Sequence, residues 1–356
     1  MPLDVTKRVK PETARQYIAA IFASGGMPGP AAAEVADLMV RADLLGGDGH
    51  GLFRLPAYMK RLGEGGFNLH PSISIDRDAG AAVRLDGDNA MGHLVVRQCV
   101  DIAMARARDH GVAWVGCHHS NHAGIAGTYA LMPTEHDMVA IYVAVGNANH
   151  MAPWGGTELL LSTNPIAIGV PGGETGPVLL DMATTNAAYG KVKLAAQRGE
   201  MMPADWMIDA LGNPLTDPKR SGEGSLLPIG GPKGYGLALM LGILAGTLNG
   251  AAFGRDLVDF NADFSTTTNT GQLVIVADLK CFLDPAVFKA EIDRIRREMK
   301  SSPLRPGFDE IRLPGERALR LRDERQRDGI PLREELLNSL RPVSDAAGVP
   351  PLEDWT

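Results

Sequence analysis

Apolar side chains recur three and four positions apart through the first sixty residues, give way to short apolar runs in the middle, and return to helical spacing near the end. Pro11 and Glu12 suit a first helical turn, Tyr17, Ile18, Ile21 and Phe22 make one face, and Gly25-Gly26 stops it. A second helix runs from about Pro30, with Val35, Leu38, Met39 and Ala42 on one side. It ends in the loop Leu45-Gly46-Gly47-Asp48-Gly49-His50-Gly51, and a third, Leu52 to Leu62, turns Leu55, Tyr58, Met59 and Leu62 inward. Ser72 to Asp76 and Ala81 to Asp86 alternate like a hairpin, and Gly92 to His110 reads as a long helix with Leu94, Val95, Cys99, Ile102 and Ala103 buried. Val112 to Val115 reads as a buried strand that Gly116 ends, with Ser120 or Asn121 capping a small-residue helix that follows. Strands at Met138 to Val145, Ile166 to Val170 and Val178 to Thr185 alternate with helices around 187–199 and 234–253, which predicts an α/β core. Val343 to Thr356 reads as a loose tail, because Pro350 and Pro351 forbid regular helix.

Composition narrows the class. A chain of 356 residues with 45% hydrophobic content can bury a large core in two lobes. A net charge of -7 and a pI near 5.7 argue against nucleic-acid and anionic-membrane partners, which need concentrated basic surface. The arginines between Arg294 and Arg327 are interleaved with acids and read as a solvated face or a dimer rim. No apolar run reaches membrane-spanning length, and MPLDVTKRVK lacks the apolar centre of a signal peptide, so a cytoplasmic location is expected. Cys99, Cys117 and Cys281 are an odd, scattered set that fits a reducing compartment. Cys117 is read as a small buried residue rather than a nucleophile.

Candidate chemistry concentrates at two turns. His118, His119 and His122 follow the Val112 strand, at the carboxyl edge where open α/β sheets bind ligands. Satisfying backbone groups is the plainer role for His118 and His119, whereas small neighbours leave room around His122. Three imidazoles suit zinc in number, which keeps a metal-dependent hydrolase or lyase in view. Against it, adjacent His118 and His119 are expected to point apart, and no HExxH or paired CxxC accompanies them, so no metal is expected. The other turn places His50 beside Arg54. A cation at a helix start opposes the macrodipole, a conflict that an anionic ligand resolves, and guanidinium grips a carboxylate through two parallel hydrogen bonds. A solvated arginine beside a glycine-loop histidine is the alternative.

Leu44 to Leu62 resembles the DSHG-x-x-R-x-P-x-Y segment of the type-2 malate/L-lactate dehydrogenase family, and Ser120-Asn121-His122-Ala123-Gly124 resembles its SxHxG loop. Ala152 to Gly156, Thr163-Asn164-Pro165, Leu180 to Thr184, Leu227 to Leu239, Asp284-Pro285 and Leu313 to Glu316 continue the likeness in order, over roughly residues 10 to 333. The resemblance implies NAD(P)-dependent oxidoreduction of small 2-hydroxy, 2-oxo or cyclic 2-imino acids. It also implies a homodimer and a non-Rossmann, L-sulfolactate dehydrogenase-like fold, a three-layer α/β/α core with a mixed sheet and helical N- and C-terminal parts. No GxGxxG turn contradicts that. On this basis residues 1–75 are a helical part packing with the C-terminal region, 76–300 the α/β cofactor-binding core, and 301–356 a C-terminal helical part and tail.

The same resemblance nominates residues. Arg54 anchors the substrate carboxylate, with Gly49 and His50 beside it, and His50 and His122 are alternative proton donors. His122, Asn164, Asp181, Met182, Ala183, Thr184, Thr185, Lys233, Gly234, Gly315 and Glu316 are the expected contacts of NAD or NADP. Lys233 beside the helix start at Gly234 is physically apt for phosphate. A catalytically inactive, ligand-binding relative is the third possibility. Where the family usually has Ser next to the first histidine this chain has Gly49, which predicts either a wider, less polar pocket or a backbone need for positive φ.

Overall fold

The computed structural model describes residues 7–355; residues 1–6, on which the signal-peptide expectation partly rests, and Thr356 lie outside them. In chain order come β1 (Lys7–Val9), α1 (Pro11–Ser24), α2 (Gly29–Leu44), α3 (Leu55–Gly63), β2 (Ser74–Ala79), β3 (Ala82–Asp86), α4 (Gly92–His110) and β4 (Val112–Ser120). Next are α5 (Ala126–Leu131), β5 (Met138–Ala144), β6 (Ile166–Val170), β7 (Val178–Met182), α6 (Tyr189–Arg198), β8 (Met207–Asp209), β9 (Gly224–Leu226) and α7 (Pro232–Ala245). The chain closes with β10 (Thr270–Asp278), α8 (Pro285–Lys300), α9 (Glu316–Asp328), β11 (Ile330–Leu332) and α10 (Glu334–Ala347).

Seven strands form a mixed sheet in the order β2-β3-β4-β10-β5-β6-β7, in which only β3 and β4 run parallel. Strand alternation sorts its side chains into two layers. Ala113, Val115, Cys117, Ala140, Tyr142, Val274 and Val276 face α4 and α5. Trp114, Ile141, Val143, Leu273 and Ile275 face α7. The result is a three-layer α/β arrangement, as expected.

Four elements differ from what the sequence pattern predicts. β10, between β4 and β5, was not anticipated. Its run Leu273 to Ala277 is apolar without interruption, with Ile275 and Ala277 half-buried, so its sequence lacks the apolar–polar alternation that marks a half-exposed strand. Gly116 does not end β4, which continues to Ser120. The glycine is needed because a Cβ there would meet the Asn249 side chain at 1.9 Å. Ser120 and Asn121 do not cap α5, whose first residue is Ala126; Asn121 instead donates to Ala90 O at 2.9 Å. The helix expected over 234–253 stops at Ala245, before Gly246.

A second core lies outside the sheet. Tyr17, Ile18, Ile21 and Phe22 of α1 and Val35 and Met39 of α2 pack with Ile330, Leu332, Leu337, Leu340 and Leu352. β1 pairs antiparallel with β11, Val9 opposite Ile330. The segment read as a loose tail is thus docked: α10 continues through Pro342 to Ala347, Ser344 bonds Tyr17 Oη at 2.8 Å, and Trp355 packs edge-on to Tyr17. The two prolines are answered by packing, with Leu352 only 2% exposed. Among the described residues, no helix is long and apolar enough to cross a membrane.

Candidate active site

His50 and His122 meet although 72 positions separate them. Their rings stack 5.7 Å apart at 14°, because the loop after α2 and the loop after β4 converge beneath α3. His122 is therefore on a loop, not just inside a helix. Tyr58, expected only to pack, hydrogen-bonds to His122 Nδ1, and the Gly124 N–H donates to the same nitrogen at 3.3 Å. Burial pushes the Tyr58 phenol up, so it is protonated and donates. Nδ1 of neutral His122 is then the acceptor, and Nε2 carries the hydrogen.

Burial, with the Arg54 charge second, holds His50 down at about 4. His122 is lowered by burial and then by Arg54, His50 and His93. His93, in the first turn of α4, is fully buried, held down at about 3 by burial and then His50, and neither ring nitrogen has a partner among the described residues. No sequence signal singled it out, since one histidine at a helix start looks like any other.

Arg54 caps α3. Its Nε donates to Gly49 O at 3.1 Å and Nη1 to Asn261 Oδ1 at 3.2 Å. Among the described residues it has no carboxylate within ion-pair distance, so its charge is directed at its surroundings: it depresses His50, His122 and Lys193 together. Gly49 itself is exposed, has ordinary φ, and a Cβ there would meet nothing within 4 Å. The backbone explanation for this glycine fails, and open space beside His50 stands.

His118 and His119 do not join His122. His118 Nε2 lies 3.1 Å from Asp76 and His119 Nδ1 3.0 Å from Asp86. Nor do they point apart, for their rings are 4.2 Å from each other. The three-imidazole zinc site is not formed. Cys117 is buried, its thiol donating to Gln272 Oε1 at 3.0 Å.

The remaining nominees form an arc along β7. Leu179 N–H reaches Pro314 O at 3.4 Å, which sets Gly315 and Glu316 beside β7, and Ile229 N–H reaches Thr184 O at 3.0 Å, which brings up the start of α7 with Lys233. Close packing dictates two glycines here: a Cβ on Gly234 would lie 1.9 Å from Ile229 O, and on Gly315 2.5 Å from Leu179 O. Asp181 accepts from Gly127 N–H at 2.8 Å. Desolvation by the packing around it pushes its carboxyl up, against the pull of the Gly127 N–H, an effect that its exposure weakens. Lys233 is exposed, while Met182 and Ala183 are half-buried. Glu316 spends Oε1 on Lys300 at 2.9 Å, leaving Oε2 buried without a partner. Thr184 and Thr185 turn their hydroxyls inward, to Thr163 O and Ala187 O. Asn164 is fully buried, bonding Gly146 N–H and Ala238 O, so its side chain has no surface for a ligand.

Residues 9–341 match the malate/L-lactate dehydrogenase family. The chain belongs to that family. The L-sulfolactate dehydrogenase of Methanothermobacter thermautotrophicus is 37% identical over 333 residues, 94% of this chain and 95% of that protein. The ureidoglycolate dehydrogenase (NAD(+)) of Escherichia coli is 32% identical over 87% of this chain and 88% of its own. The solved sulfolactate dehydrogenase of Methanocaldococcus jannaschii superposes with a TM-score of 0.90 at 35% identity, covering 98% of this chain and 99% of that one. This malate/L-lactate dehydrogenase family member is an NAD(P)-dependent dehydrogenase or reductase.

Proposed function

We propose that this enzyme interconverts a small 2-hydroxy acid and its 2-oxo partner, or a cyclic 2-imino acid and its amine, using NAD or NADP. The observation that carries this is Arg54, a guanidinium with no carboxylate partner among the described residues, beside the stacked His50 and His122. A bidentate grip on the substrate carboxylate places C2 and its oxygen against the two rings.

The arc along β7 suits a dinucleotide. The unpartnered Glu316 Oε2 is an acceptor for a ribose hydroxyl, and exposed Lys233 in the first turn of α7 suits a phosphate. A bound nicotinamide supplies or takes up the hydride at C2. His122 Nε2–H then donates to the substrate oxygen and polarises it. Neutral His50 takes the hydroxyl proton in oxidation and returns it in reduction, which divides the two histidine roles. Open space at Gly49 supports a substrate bulkier than malate or lactate.

Two accompanying readings concern setting. Leu237 and Met240 stand exposed on α7, a helix that is apolar all round after Tyr235, which supports a homodimer through that face, checked by light scattering. The free thiols of Cys99 and Cys117 in the core support a reducing, cytoplasmic compartment. The deciding experiment is a panel of 2-oxo and cyclic imino acids with NADH and NADPH. Turnover without added metal, best with a bulky or cyclic acid, is expected. Ligand binding without turnover identifies an inactive relative, and strict dependence on zinc a metal enzyme.

A further inference from the structure

At the ends of β3 and β4, away from His50 and Arg54, four side chains converge: Asp76, Asp86, His118 and His119. Successive residues of a strand point to opposite faces, so His118 and His119 ought to diverge. They do not, because His119 has φ of +47°, a conformation uncommon outside glycine, which turns its ring back onto that of His118 at 4.2 Å. The turn is held from both sides: the His119 N–H donates to Asn269 Oδ1 at 2.7 Å, and its carbonyl accepts the Asn89 N–H at 2.8 Å.

We propose that Asp86, His118 and His119 form a binding site for a divalent transition-metal ion such as zinc, with Asp76 orienting His118. One ligand atom from each of the three lies within 4.8 Å of the others, so small rotamer changes close them on an ion. The hydrogen bonds already present leave the right atoms over. His118 Nε2 is on Asp76, the carboxylate–imidazole pairing that fixes a metal-bound histidine, which leaves Nδ1 for the ion. Asp86 uses Oδ1 for both the Asp88 N–H and His119, leaving Oδ2. Charge agrees, since Arg84 balances Asp76 and leaves Asp86 and two imidazoles facing the ion. Two nitrogens and one oxygen favour zinc or nickel over calcium and magnesium, which prefer oxygen alone. The His118 side chain is 11% exposed and that of His119 49%, so an ion enters from solvent and a water completes the shell. The ion ties β3 to β4 where the chain departs toward His122. It takes no part in hydride transfer.

Co2+ titrated into chelator-treated, desalted enzyme, followed by its visible d–d absorption and displaced by Zn2+, tests the site. One ion per chain is expected, with a rise in melting temperature. His119→Gly suits the positive φ and removes the imidazole, and Asp86→Asn keeps the shape and removes the charge. Each should weaken binding by roughly tenfold or more, His119→Gly leaving turnover intact. Absence of stoichiometric binding in the parent, or a variant that binds as tightly as the parent, overturns the proposal.

Discussion

One arginine sets the electrostatics of the cleft. Replacing Arg54 by Lys keeps the charge and loses the planar fork, so kcat/KM on a carboxylic acid is expected to fall roughly tenfold or more, given about 1.5–3 kcal/mol for charged hydrogen bonds. Unchanged kinetics remove the carboxylate role. The same charge adds to burial in setting pH dependence. His50 must be neutral to accept a proton, so oxidation is lost as pH falls through its pKa, about 4 in the free enzyme. A bound carboxylate cancels the Arg54 repulsion, so the acid limb of kcat should lie above that of kcat/KM. Coincident limbs argue against His50 as the base. Tyr58→Phe removes the stronger hydrogen bond that fixes the His122 tautomer. A fall in kcat of about tenfold with KM little changed is expected, and unaltered kcat would show that the tautomer is set without it.

Elements were legible where their pattern is local. The amphipathic α1, α2 and α4, and the glycines that stop them, follow from spacing alone. What spacing misses is decided by distant partners. The length of β4 depends on Asn249 accepting a glycine opposite it, and the tail is ordered by a surface that α1 supplies. The site divides similarly. Motif residues His50, Arg54 and His122 are brought together, but Tyr58 and His93 gain meaning only from neighbours far along the chain. Asn164 stands within a recognised motif yet serves α7 from the interior. Leu352→Ala discriminates a docked end from a loose one: urea unfolding should show a loss of about 2–4 kcal/mol, against less than about 0.5 for an exposed residue.

On the scale of the molecule, buried His93 and His122 and half-buried His50, all held neutral, make the fold acid-sensitive. The folded pKa of His93 lies below its unfolded value, so its contribution is complete above about pH 6.5 and is lost as pH falls toward 3. In His93→Phe the dependence of unfolding free energy on pH between 6 and 4 should be shallower by up to about 1.4 kcal/mol per unit, whatever the absolute stability. Identical slopes would mean that His93 takes up a proton without unfolding. The pairing of β1 with β11, and of α1 with Leu337, Leu340 and Leu352, also orders events in time. When the last residue of α1 has just been added, the residues of β11 and α10 that complete its apolar cover are still about 300 codons from being made. At about 5–20 residues per second that is roughly 15–60 s during which Tyr17, Ile18, Ile21 and Phe22 lack their final cover. The beginning of the chain therefore waits for its end, and a nascent chain stalled before residue 330 is a natural client for chaperones.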